Sequence, residues 1–273
     1  MTDFMTDAQG YTTTYTETGH QSDGLLRIQW RNGSPQAQTP GHFFVEADRL
    51  EGLGLSAPTA PWVAFDAIFA SGDSKSGYRC DAAKLQIIGV RQQDAIKNAE
   101  NRIETYLTER TQKGNRPQGW TVVVELLCGI EGFDQPVVVK SNGIKTSMAL
   151  VIDVYGGMRT LRKEASKLTG NSLPPWFFFA PVRCGRDDKN KVIYEKTQGA
   201  MVTPPRLVLP NDKTGRDLFN SLYVGKELVQ WGEAVYTERK DWLLEPIGST
   251  EAMPTTNGRN VPQPIDEMVD LPF

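Results

Sequence analysis

Two histidines, His20 and His42, and three cysteines, Cys80, Cys128 and Cys184, are the whole stock of the commonest nucleophilic and metal-binding side chains in this 273-residue chain. No two cysteines form a C-x-x-C, and an odd count in a chain that reads as unsecreted argues against a disulfide scaffold. A zinc site needs four ligands at close spacing, and none is visible. A Cys–His nucleophile pair would have to use His42, because His20 lies in a polar arm. The carboxylates Glu125, Glu131, Asp134 and Asp153 lie in the central region and could in principle hold Mg²⁺ for a nuclease. Their spacing matches no motif, so salt bridging or solvation is their expected role. Gly143-Ile144-Lys145-Thr146-Ser147 has the composition of the end of a phosphate-binding loop. A P-loop needs Gly directly before Lys and another Gly five residues earlier; here Ile144 intervenes between Gly143 and Lys145, and Val138 holds the position five before Gly143. The residues predict no catalytic group, no cofactor and no metal.

Charge and aromatic patterning are more informative. The net charge is −3, but it is unevenly spread. Residues 1–70 hold three basic and eight acidic residues, 71–200 hold 20 and 14, and 201–273 hold seven and 11, giving −5, +6 and −4. A positive middle between acidic ends suits contact with phosphates, although surface fluctuation alone can produce it. Binding a single strand needs a basic groove and aromatic faces, each stacked base contributing roughly 1–3 kcal/mol. The middle offers Lys75, Tyr78, Arg79 and Lys84, then Arg116 and Trp120, then Trp176 with Arg183 and Arg186 as nucleic-acid-binding candidates. Most of Phe65, Phe69, Phe177 and Phe179 are expected in the core, since alternate strand residues point inward. Arg159, Arg162, Lys163 and Lys167 are expected on a solvated helix face.

These residues must be positioned by a β-rich chain. Hydrophobic residues are 39% and charged residues 23%, a globular composition. No apolar run approaches the roughly 20 residues that span a bilayer, and the polar, acidic start has no signal-peptide pattern. A cytoplasmic protein without membrane contact is expected. Strands are predicted at 24–31, 41–47, 62–70 (apolar enough to be buried), 84–91, 120–128 and 136–140, the last two as a hairpin. Further strands are predicted at 176–183, 191–196 and 200–209. Helical spacing of Ala95, Ile96, Ala99, Ile103, Tyr106 and Leu107, stopped by Gly114 and Pro117, predicts a helix over 92–113. A second helix over 146–168 is interrupted at Gly156-Gly157, and 212–241 is mostly helical. The expected fold is α+β and β-rich: an OB-like barrel or curved antiparallel sheet with packed helices, spanning 24–244. Residues 1–23 read as a flexible arm. Residues 245–265, rich in Pro, Gly, Thr and Asn, read as a disordered linker.

The sequence closes on Asp266-Glu267-Met268-Val269-Asp270-Leu271-Pro272-Phe273. An apolar tip after acidic residues gains nothing from exposing Phe273 to water, so it is expected to enter a partner's pocket with basic residues at its rim. Pro272 lowers the entropy lost on docking. This tail resembles that of bacterial single-stranded DNA-binding proteins, closely over Asp270-Leu271-Pro272-Phe273 and loosely over Asp266-Glu267. The resemblance implies an OB-fold that binds the strand and a tail that recruits replication, recombination and repair proteins. Met268-Val269 interrupts the acidic run, the linker is short, the folded part is about twice the family's single domain, and that domain's own pattern is absent. A phage, plasmid or mobile-element analogue is the preferred reading, with oligomerisation open. The alternatives are a nuclease or annealing factor carrying the same docking tag, and an interaction protein that sequesters a host factor without touching DNA.

Overall fold

The structure is a computed structural model, and it describes residues 24–36, 38–68, 74–99, 102–112, 114–197 and 200–247. Its centre is β7 (Trp120–Ile130), whose sequence WTVVVELLCGI is dense in β-branched and apolar residues and is buried on both faces. β7 pairs antiparallel with β5 (Ala82–Lys97) on one side and β8 (Val137–Ser141) on the other. From β8 the sheet continues through β1 (Leu26–Arg31), β2 (His42–Glu46), β4 (Ser74–Cys80) and β3 (Val63–Ile68). From β5 it continues through β9 (Phe179–Cys184) to β12 (Pro205–Leu207), and β6 (Ile103–Tyr106) pairs the far end of β5. All these pairs are antiparallel except β1 with β8. A separate ribbon joins β10 (Glu195–Lys196) to β11 (Met201–Val202).

The sheet curls into a half-barrel. Its inner face carries the alternate apolar residues Leu26, Ile28, Trp30, Phe43, Val122, Val124, Leu126 and Val139, all in one core cluster. A helical layer packs there: α2 (Ile144–Met148), a π-helical stretch over Ala149–Gly156, and α3 (Gly157–Thr169). Leu150, Val154, Leu161 and Ala165 bring its apolar side into the same cluster. The curl is tied by Thr203, just before β12: its carbonyl accepts from Trp30 Nε1 and its hydroxyl from the Gly33 amide.

The outer face is covered in part by α5 (Lys226–Leu244), which follows α1 (Ala47–Gly52) and α4 (Gly215–Leu222) in the chain order of helices. Two glycines let α5 lie close on β5 and β7. A Cβ on Gly89 would stand 2.5 Å from Leu243, and one on Gly129 would stand 2.9 Å from Trp231. Gln86 Nε2 donates to the Leu228 carbonyl beneath the first turn. Among the described residues no helix is long and apolar enough to cross a membrane.

Several expectations change. Residues 92–113 are not a helix: they form the second half of β5, a turn and β6. The three- and four-residue spacing that suggests a helix serves a hairpin instead, in which Ala95 faces Tyr106 and Lys97 faces Ile103. Eleven residues of β7 pair with β5, and this long-range ladder overrides a local pattern of short range. The second helix changes register at Gly156-Gly157, where π-helical winding gives way to α-helical, yet it runs on without a break, since both glycines keep right-handed helical angles. Gly157 is needed for contact: a Cβ there would lie 2.7 Å from Leu207. The helix ends at Gly170, whose φ of 73° suits a left-handed C-terminal position. β3 is an exposed edge strand rather than a buried one, with Val63 59% and Ile68 74% exposed. The packed chain also runs past 244: Ile247 is buried against Ala95 and Val123. The arm at 1–23, the rest of the linker and the tip at 266–273 lie outside the described residues.

Candidate nucleic-acid interface

β1 reads Leu-Arg-Ile-Gln-Trp-Arg with strictly alternating burial, so Arg27, Gln29 and Arg31 share the outer face. Strand register extends that face into one row. Gln29 lies beside Lys140 on β8 and Phe44 on β2; Phe44 lies beside Arg79 on β4; Lys140 lies beside Glu125 on β7; Glu125 lies beside Arg91 on β5. Four of these six residues are ionised types, and three of the four are cations.

Glu125 is the anchor of the row. Its side chain is 1% exposed, and a carboxylate so buried must be paired. Arg91 Nε and Nη2 both donate to Glu125 Oε2, at 2.9 and 2.7 Å. Lys140 Nζ lies 3.3 Å from Oε1, and Arg27 Nε lies 3.9 Å from the same oxygen. Arg91 is fixed further by Trp242, whose ring its guanidinium covers at 3.6 Å and whose carbonyl it also reaches. Three cations around one carboxylate leave local positive charge. Arg27 and Lys140, at 23% and 24% side-chain exposure, present it to solvent.

A second cationic region lies across β9, β5 and β12. Arg183 stands directly opposite Arg206 in the ladder and beside Ala82. Like charges in that position repel unless something neutral or negative intervenes. Arg206 is ion-paired with Asp153 and Glu195. Arg183 Nε is buried and has no hydrogen-bond partner among the described residues. Lys84, one row along, is 57% exposed and meets Glu131 only at 3.8 Å.

The candidates read from sequence divide accordingly. Arg79 joins the first region and Lys75 lies on the same β4 face, pairing Glu46 at 3.2 Å. Arg79 is also held by both oxygens of Asp81 and covers the Phe65 ring at 5.1 Å. Lys84 and Arg183 make the second region. Tyr78 falls on the opposite face, beside Val45, and packs against the core. Arg116 and Trp120 meet as a cation–π pair at 3.9 Å, with Trp120 Nε1 donating to Asp94. Arg186 donates to the Asn190 carbonyl in its own turn. Trp176 must be corrected: it is 1% exposed and stacks near Tyr236, so it is a core residue and offers no face to a base. Sequence reasoning missed Arg27, Arg31, Arg91 and Lys140. For the two on β1 the signal was present in the alternation.

The other candidate chemistries find structural uses. Ser147 Oγ donates to the Val122 carbonyl and Thr146 Oγ1 to the Gly143 carbonyl, so the hydroxyls of the loop-like motif are turned into the protein. Burial pushes the Cys80 thiol up to about 11 and the Cys128 thiol up to about 12, and it raises Cys184 as well. Such thiols stay protonated and are poor nucleophiles near neutral pH. Among the described residues no three His, Cys, Asp or Glu side chains converge on one point. Compared with known protein families, curated proteins and solved structures, the chain finds no match in any of the three.

Proposed function

We propose that the protein binds single-stranded DNA along the outer face of its sheet, without sequence preference and without catalysis. The observation that carries the reading is the segregation of Arg27, Arg31, Arg79, Lys84, Lys140 and Arg183 onto that one face by strand alternation and register. Cations arranged this way contact phosphates, which carry no base identity. A gel shift comparing oligo-dT with its duplex tests this. Preferential retention of the single strand, weakening as salt rises, is expected. Equal or absent binding to both overturns the reading, and cleavage of the strand in Mg²⁺ that stops with EDTA replaces it with a nuclease.

The same proposal assigns the tip, Asp266, Glu267, Asp270, Leu271, Pro272 and Phe273, to recruiting replication, recombination or repair proteins. Its support is the resemblance of the tail. Removing residues 266–273 should leave oligo-dT binding in place and abolish capture of those proteins, with Phe273→Ala doing most of the damage. Equal capture by both chains would remove this part.

A further inference from the structure

We propose that His42 forms, with Arg31 and Arg79, a subsite for a backbone phosphate, and that it takes up a proton when the phosphate seats there. The inference rests on the reading of this face as a nucleic-acid surface and goes beyond it by naming a titrating residue.

His42 begins β2 and is 5% exposed. Its Nδ1 lies 3.1 Å from the Pro40 carbonyl, an arrangement that keeps the hydrogen on Nδ1. Nε2 is then a bare lone pair. It is buried and has no partner among the described residues. An acceptor left so is destabilising, and only a proton or a donor relieves it.

The surroundings favour an anion. Arg31 is the cross-strand neighbour of His42. Arg79 covers the face of the Phe65 ring, which His42 meets edge-on at 5.4 Å. Among the described residues the acid that acts on His42 is Asp81, already held at two oxygens by Arg79, while Glu46 acts on Arg31. Burial chiefly, with both arginines adding, lowers the pKa of His42 below its ordinary value, whereas the Pro40 hydrogen bond and Asp81 oppose. The imidazole is therefore neutral near pH 7 in the free protein. Two guanidiniums attract a phosphate; its charge reverses the local field and favours the imidazolium, whose Nε2–H then donates to a phosphate oxygen. Phe65, whose ring meets the imidazole, sits half-buried on the edge strand β3 and would have to turn aside for a phosphate to enter.

The sign follows from linkage. The bound pKa lies above the free one, so binding takes up a proton and tightens as pH falls between the two values. One proton permits at most about tenfold per pH unit. The chain has only two histidines, so His20→Gln leaves a single imidazole to follow by nitrogen NMR. At pH 6.5, oligo-dT should move the His42 signals to those of an imidazolium. The ratio of oligo-dT affinities at pH 6 and pH 8 should exceed that of His42→Gln by about threefold or more. The NMR measurement leaves His42 itself in place, so it does not depend on whether His42→Gln folds. If oligo-dT binds with unmoved His42 signals and an unchanged pH ratio, the subsite is wrong while the interface stands. If inorganic phosphate alone protonates His42 and oligo-dT does not bind, the anion site stands and its nucleic-acid source is overturned. If neither probe moves the signals and oligo-dT does not bind, both readings fall.

Discussion

Glu125→Ala should lower the stability of the fold by about 3–5 kcal/mol, the cost of removing one partner from a buried ion pair. The reason is what remains. Arg91, 9% exposed at its side chain, would keep its charge beneath α5 with its carboxylate partner gone. Lys140 would face it from across β7. Both would have to find water or pull the strands apart, and β7 is buried on both faces. For a domain of this size the loss corresponds to roughly 10 °C in Tm. Urea denaturation followed by Trp fluorescence gives the direct measure. The cause can be separated from simple loss of packing by pairing Glu125→Leu with Arg91→Met. If the penalty is an uncompensated charge, the double variant should recover most of the stability lost by Glu125→Leu alone. A Glu125→Ala protein within 1 kcal/mol of the parent would show that the cations already reach solvent.

Replacing Lys84 and Arg183 together by Ala should weaken oligo-dT binding at low salt by roughly ten- to a hundredfold. The dependence of log K on log salt should flatten by about 1.4, since each phosphate contact on a single strand contributes about 0.7. These two residues are chosen because the fold does not need them. Lys84 is the more exposed half of a long pair with Glu131, and exposed pairs contribute little. Arg183 opposes Arg206, so its removal relieves a repulsion and should leave stability unchanged or slightly raised. A merely structural pair would show the reverse: altered stability with the salt slope untouched. That outcome would remove β9 and β5 from the proposed path of the strand.

Part of this protein is legible without its fold. β-branched density marks β7 as a strand, and the residues from Leu26 to Arg31 mark β1 as another. The apolar spacing of Phe219, Leu222 and Val235 marks the helical end, and all three are buried. The glycine-stopped periodicity at 92–113 shows the limit. Spacings of three and four residues are shared by a helix and by a hairpin whose two arms face each other, and only the pairing partner, β7, decides. Trp176 shows the same limit for a site residue. Its neighbours Phe177, Phe178 and Phe179 suggest an aromatic surface, but a Cβ on Gly232 of α5 would stand 2.5 Å from its indole, and the helix buries it. The tertiary structure alone assembles the cation row, because Arg27, Arg79, Arg91 and Lys140 lie far apart in sequence. Charge type and alternation are local properties carried by each strand. Which strands stand side by side, and in what register, depends on closing long loops around one core, and that determines which charges share a face.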